Sequence, residues 1–228
     1  FGKRESMADF SSVLTEMVDV VVLRTKSHET VVEFARYASC PVINGLTDFS
    51  HPCQAVADLY TIRETFGDLK GRTLAWVGDA NNVARSLAVA CGMTGMRMKM
   101  AVPEAYRFDK ATQAWFDEHV PSLDLSVTSD PKEAVAGASA VYTDVWASMG
   151  QEQERQQRKA DFLPYQVNAA LMKRAGDEAI FLHCLPARRG EEVTDEVIDS
   201  PQSAVVRQAG NRMHAQKGIL AWLLGAMG

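Results

Sequence analysis

Five short segments of this 228-residue chain bring together side chains able to handle an acyl group, an anion or an amine. His51-Pro52-Cys53-Gln54 follows the loop signal Asn44-Gly45-Leu46-Thr47-Asp48 and opens a helix with proline at an early position. A helix start offers unpaired N–H groups, and the His and Gln side chains can hydrogen-bond a carbonyl and an amide. A proline-started helix with a capping histidine is the plainer alternative. Trp76-Val77-Gly78-Asp79-Ala80-Asn81-Asn82-Val83 reads as a strand, a Gly-Asp turn and a helix start. Its paired Asn amides can bind a carboxylate or an ammonium, or simply cap the helix. Gly78 stands alone where a dinucleotide fingerprint needs Gly-x-Gly-x-x-Gly, which disfavours a nicotinamide dehydrogenase.

Asp144-Val145-Trp146-Ala147-Ser148-Met149-Gly150 puts a carboxylate at a strand end before a serine and a Gly-flexible loop. That suits an amine-bearing substrate and a closing lid, although an Asp there also serves as a helix cap or loop anchor. Ser148 lacks the Gly-x-Ser-x-Gly elbow of a hydrolase. His183-Cys184-Leu185-Pro186 offers a thiol as nucleophile, metal ligand or polar contact, or as an inert buried group. A metal is disfavoured because neighbouring residues on a strand point to opposite faces. Asn211-Arg212 is expected to open the final helix. A guanidinium at a helix start opposes the macrodipole, so Arg212 is expected to serve an anion or a carbonyl oxygen.

The elements that must position these residues alternate. Strands are predicted at Asp19–Arg24, Pro41–Asn44, Thr73–Gly78, Met96–Val102, Leu123–Val127, Ala140–Asp144, Ala179–Leu185 and Ser203–Val206. Helices are predicted at Ser6–Met17, Glu29–Ala38, Pro52–Phe66, Asn82–Gly95, Ala111–His119, Pro131–Ala136, Asn168–Ala175 and Asn211–Leu224. Strand–helix alternation implies an α/β fold of parallel sheets covered by helices, with ligands at the carboxyl ends of strands. Gly67-Asp68-Leu69-Lys70-Gly71 marks a boundary. Residues 1–66 then form the remainder of one α/β domain and 67–206 a second, with the site in the cleft between. The helix within 207–228 is expected to return to the first domain. The polar run Gln151–Lys159 reads as a solvated helix or loop.

Hydrophobic residues make up 46% and charged residues 23%, enough for a real core. A net charge of −5 argues against nucleic acid or an anionic membrane surface as partner, though it is silent on small basic pockets. No apolar run approaches the roughly 18 to 20 residues that span a bilayer. The four cysteines, Cys40, Cys53, Cys91 and Cys184, lack metal-ligand spacing and are expected as free thiols in a reducing cytoplasm.

Taken together and in order, these segments and the near-terminal Asn211-Arg212-Met213-His214 resemble the ornithine carbamoyltransferases over the whole chain. The aspartate carbamoyltransferases lack the Ser-Met-Gly loop and the cysteine. The resemblance implies carbamoyl transfer from carbamoyl phosphate to the δ-amine of ornithine, giving citrulline and phosphate, with no metal and no organic cofactor. It implies Arg24, His51, Gln54, Cys184, Leu185 and Arg212 as carbamoyl-phosphate ligands. Of these, Cys184, Arg212 and His51 would serve the chemistry. Asn82, Asp144, Ser148 and Met149 would grip ornithine, Asp144 meeting the α-ammonium. A cytoplasmic homotrimer is implied as well. An N-acylornithine carbamoyltransferase is the nearest alternative, but that branch departs from the Ser-Met-Gly loop. A non-catalytic truncated paralogue is another. Its support is one departure from the family: the Ser-x-Arg-Thr phosphate motif of the first domain is missing. The chain opens at Phe1 rather than Met, in a stretch resembling the loop before the family's third helix. The expectation is therefore that roughly 80 residues precede it, an incomplete first domain by the usual domain size.

Overall fold

A computed structural model of the chain describes residues 5–147 and 154–225. The first half holds helix α1 (Met7–Thr15), strand β1 (Val21–Arg24), helix α2 (His28–Tyr37), strand β2 (Val42–Leu46) and helix α3 (Pro52–Phe66). Strands β1 and β2 pair in parallel as a two-stranded sheet. Helix α3 has the bounds the sequence predicts. Pro52 starts it, where its missing N–H is no loss, and Gly67 ends it at φ 80°.

The second half is built on β3 (Thr73–Val77), β4 (Arg97–Ala101), β5 (Asp124–Thr128), β6 (Ala140–Thr143) and β7 (Ile180–His183). They form one parallel sheet in the order β5-β4-β3-β6-β7. Every residue of β3, β6 and β7 is buried, as expected for a parallel sheet covered on both faces. One face packs Leu74, Trp76, Met98, Met100 and Leu182 with α4 (Asn82–Thr94) and α5 (Lys110–His119). The other packs Val77, Val141 and Phe181 with α6 (Pro131–Val135), α7 (Arg155–Phe162), α8 (Ala169–Ala175) and α9 (Asp195–Ile198). Trp76 and Tyr142, both fully buried, stack at 5.3 Å across adjacent strands.

Two predicted elements are corrected. Ser203–Val206 is not a strand: Ser203 makes an isolated bridge to Phe181, and α10 (Val205–Leu223) begins at once. The final helix therefore starts six residues before Asn211. Arg212 lies two turns inside it, where the argument from an opposed helix end does not apply. The early start is set by tertiary contacts: Val205 is buried in the second core, while Gln208 and Asn211 reach buried partners on β6, β7 and α3. The polar run before α8 is not simply solvated either. Arg158 of α7 is 5% exposed, donates to Asp79 Oδ2 and the Trp146 carbonyl at 2.9 Å each, and lies over the Tyr106 ring. Helix α10 lies against α3, joined by Asn211 Nδ2 to Thr61 Oγ1 (3.0 Å) and by the Arg207–Glu64 ion pair.

Candidate active site

Chain order reverses direction in the larger sheet between β3 and β6, which makes the crevice beyond their carboxyl ends the natural ligand site. Asn81 and Asn82 follow β3, Asp144 follows β6, and Cys184 and Leu185 follow β7. Asn81 does both things its type allowed. Its Oδ1 caps α4 by accepting from the Val83 and Ala84 N–H groups, and its Nδ2 donates to Asp144 Oδ2 at 2.7 Å. Asp144 Oδ1 accepts from the Val145 N–H at 2.8 Å and from the Cys184 thiol at 3.0 Å. Asp144 caps no helix. It is a fixed carboxylate at the bottom of the crevice.

Burial, with Asp144 alongside, pushes the Cys184 thiol well above its ordinary range. It stays protonated at neutral pH, as a hydrogen-bond donor rather than a thiolate nucleophile. Next to it, Leu185 occupies the left-handed region at φ 57°, which costs a non-glycine residue about 1 kcal/mol. Its N–H donates to His183 Nδ1 at 2.8 Å, which fixes the ring proton on Nε2, facing Glu192 Oε1 at 3.2 Å. Ligand atoms of Asp144, His183 and Cys184 lie within 4.8 Å of one another. Both ring nitrogens of His183 are already engaged, however, so the trio offers a cation two ligands rather than three.

The first half contributes cations and neutral donors. Arg24 ends β1, exposed to solvent. His51 is the N-cap residue of α3 but makes no side-chain capping bond, so the plainer reading of a capping histidine fails. Its ring Nδ1 is buried without a partner among the described residues. Burial, helped by the nearby Arg212 and Arg24 guanidiniums and opposed by Asp144, lowers its pKa to about 4. His51 is thus neutral at physiological pH, able to donate one N–H without adding charge. Gln54, one turn later on the same helix face, is buried, and its Oε1 also lacks a partner. Half-buried Arg212 makes no hydrogen bond or ion pair to the described residues. Arg24 and Arg212, neither paired among the described residues, and Asp144 all act electrostatically on the neutral His51, so cations and a carboxylate meet around one imidazole.

Asn82 Nδ2 donates to the Thr47 carbonyl at 2.7 Å, so this amide ties α4 to the loop before α3. Two further bonds cross between the halves there, from His51 N–H to Ser86 Oγ (2.7 Å) and from Arg85 to the Phe49 carbonyl (2.8 Å). Ser148 and Met149 lie outside the described residues. Cavities of about 430 and 530 Å³ open elsewhere, the first among Phe108, Phe116 and Leu125, the second beside His28 and Trp115. Neither includes any residue of this crevice, and the chemistry-bearing groups outweigh volume in locating the site.

Comparison with known proteins gives this geometry a family. Residues 1–64 match the carbamoyl-P binding domain of the aspartate/ornithine carbamoyltransferases, and residues 70–223 match their Asp/Orn binding domain. The chain belongs to the aspartate/ornithine carbamoyltransferase family. Within that family it is 51% identical to the ornithine carbamoyltransferase of Anoxybacillus flavithermus over 98% of this chain and 72% of the relative. The ornithine carbamoyltransferase of Pyrococcus furiosus superposes with a TM-score of 0.92 at 48% identity, covering 100% of this chain and 73% of that one. An anabolic ornithine carbamoyltransferase from Campylobacter jejuni superposes at 0.90 with 32% identity, covering 98% and 75%.

Several residues in and beneath this crevice were not singled out by sequence. Asn81 was visible as half of the Asn pair, but nothing local ranked it against Asn82. Asp58, Gln208 and Glu192 carry no motif. Asp58 stands among apolar residues of α3, whereas Gln208 and Glu192 each follow a charged residue, and none can be told from an exposed polar group until the packing is known.

Proposed function

We propose that this protein transfers the carbamoyl group of carbamoyl phosphate to the δ-amine of ornithine, giving citrulline and phosphate. The observation that carries the reading is the polarity of the crevice. Arg24, neutral His51 and Arg212 stand on one side and the hydrogen-bonded Asp144–Cys184 pair on the other, in a chain about half identical to ornithine carbamoyltransferases. Residues 1–66 would hold carbamoyl phosphate and 67–206 ornithine, with the α10 region closing onto the first. The donor is a dianion, suited to unpaired guanidiniums. Asp144, Asn82, Ser148 and Met149 would hold ornithine, the Asp144 carboxylate taking the α-ammonium.

In the reaction the δ-nitrogen lone pair forms the new C–N bond. The C–O bond to phosphate breaks with its electron pair on the phosphate oxygen, and the departing phosphate takes up the one proton that the nitrogen sheds. Negative charge builds on the carbonyl oxygen, where Arg212, His51 and Arg24 act as preorganised donors. The same cations and the partly dry crevice disfavour the charged amine, keeping the nucleophile unprotonated. Cys184 S–H and the Leu185 backbone would border the reacting amine. The reading extends to a cytoplasmic homotrimer. No helix among the described residues is long and apolar enough to cross a membrane. Calorimetry on the full-length protein tests the substrate. Ornithine and its δ-amine-free analogue norvaline should bind more tightly than aspartate or acetylornithine, and a preference for acetylornithine would reassign the activity.

A further inference from the structure

Below the crevice a buried polar chain joins two motif residues, His183 and Gln54, through Gln208 and Asp58, which neither the motifs nor the mechanism above uses. Its members are His183, Gln208, Asp58 and Gln54, from β7, α10 and α3. Asp58 is fully buried, and one oxygen, Oδ1, accepts from both Gln54 Nε2 (2.7 Å) and Gln208 Nε2 (2.6 Å). Neither its Oδ2 nor Gln54 Oε1 has a close hydrogen-bond partner among the described residues, although the Tyr142 hydroxyl lies near enough to the Asp58 carboxyl to favour its charged form.

The sense of each amide in the chain follows from one donor whose identity is unambiguous. The backbone N–H of His183 donates to Gln208 Oε1 at 2.9 Å. That fixes Gln208 Nε2 toward Asp58, where it also reaches the Tyr142 hydroxyl at 3.1 Å. Asp58 Oδ1 must then be an acceptor, so the Gln54 group meeting it must be the NH₂ end. Gln54 Oε1 is left over, on the same face of the first helical turn as the unpartnered His51 Nδ1. An isolated glutamine could present either end to a ligand. This one can present only its carbonyl oxygen.

We propose that Asp58 is a positioning residue: it holds the Gln54 amide with the oxygen toward the cleft, so that the site accepts a carbonyl donor bearing N–H and rejects the same donor bearing a methyl group. The proposal rests on the functional reading above and sharpens it to a discrimination between carbamoyl phosphate and acetyl phosphate. A buried acceptor left facing a methyl group has lost water without gaining a partner, and this is the strongest basis for rejecting an isostere. Burial also pushes the Asp58 pKa up to about 7. A neutral Asp58 keeps Oδ1 as acceptor, which makes asparagine its faithful replacement: Gln208 would still force the residue-58 oxygen toward the two amides.

The test measures, in the full-length protein, the Kd of carbamoyl phosphate and the Ki of acetyl phosphate against citrulline formation. Asp58→Ala is expected to narrow the preference for carbamoyl phosphate by roughly tenfold. Asp58→Asn should stay within about threefold of the unsubstituted protein, a difference below a net hydrogen bond. An unchanged preference in Asp58→Ala, or one lost equally in Asp58→Asn, overturns the proposal. If Asp58→Ala does not fold, the Gln54 side-chain NH₂ resonance of the unsubstituted protein decides, assigned by its loss in Gln54→Met. Protection from solvent exchange and a shift as pH passes through about 7 support the proposal, and exchange as fast as an exposed glutamine overturns it. Absence of citrulline from the unsubstituted protein would instead overturn the functional reading, and the proposal with it.

Discussion

The two sheets that meet at the crevice are covered to different degrees in this 228-residue chain, which spans 72% of the Anoxybacillus flavithermus relative's length. In the larger one β3, β6 and β7 are buried at every position, with a packed core on each face. In the smaller, β2 is half-buried throughout and β1 alternates, leaving Val22 58% exposed. Exposed Val13, Met17, Val18, Val32 and Tyr37 continue this apolar surface across α1 and α2. The fully covered half anchors Asp144 and Cys184. The other carries Arg24, exposed at the end of β1, while His51 and Gln54 are buried at the start of α3. The lesson is that the amine end of the crevice is held by the sheet itself. The anion end rests on α3, whose Ala55, Leu59 and Ile62 pack into the core on one face of that sheet and whose polar groups bond across to α4 and α10.

The largest expected effect separates the two cores. Trp76→Ala, in the fully buried β3, should lower the unfolding free energy by about 3–5 kcal/mol in urea denaturation. Val22→Ala, on β1, should change it by no more than about 0.5 kcal/mol. Equal losses would erase the contrast between the sheets.

The next effect concerns pH and two buried groups on α3 with opposite shifts. His51 titrates at about 4 in the folded chain against 6.5 unfolded. Between those values only the unfolded state is protonated there, so stability is lost as pH falls toward 4. Asp58 titrates at about 7 against 3.8. Between those values only the folded state is protonated there, so stability is lost as pH rises toward 7. Each slope is about 1.4 kcal/mol per pH unit, and between roughly pH 4 and 6.5 they cancel. Asp58→Asn should therefore expose a stability that rises with pH across this window relative to the unsubstituted protein, and His51→Gln one that falls. Denaturation curves at three pH values for each variant check this, and matching pH profiles for all three proteins would refute the paired shifts.

A smaller effect tests the fully covered side directly. Cys184→Ala should lower kcat about tenfold, or about 1.4 kcal/mol of transition-state stabilisation, with a lesser change in carbamoyl-phosphate affinity. Unchanged kinetics with a lower melting temperature would make the thiol a packing group only.

How far the sequence could be read follows the same divide between local and tertiary causes. Pro52 and Gly67 bound α3 by local backbone chemistry, and the buried strands β3 and β6 announce themselves as apolar runs between turns, so these were legible. The run Ser203-Ala204-Val205-Val206 misleads because β-branched residues favour strands locally, whereas Gln208 and Asn211 draw the segment into a helix through contacts to distant elements. Arg158 misleads in the other direction. Its neighbours are all polar, yet Asp79, the Trp146 carbonyl and the Tyr106 ring together satisfy its charge in a buried place. His51, Asp144, Cys184 and Arg212, singled out in the motifs, and Arg24, implied by the family resemblance, do lie near one another. The network beneath them could not be read, because it joins residues 150 positions apart whose only shared property is where they are buried.

The most direct test of the account is turnover by the full-length protein with carbamoyl phosphate and either ornithine or aspartate as acceptor. A crevice with a fixed carboxylate at the amino-acid end should accept ornithine and repel the extra negative charge of aspartate. The expected result is citrulline with ornithine and no carbamoylaspartate with aspartate. Carbamoylaspartate formation without citrulline would contradict the assignment of Asp144 and Cys184 and the function built on them.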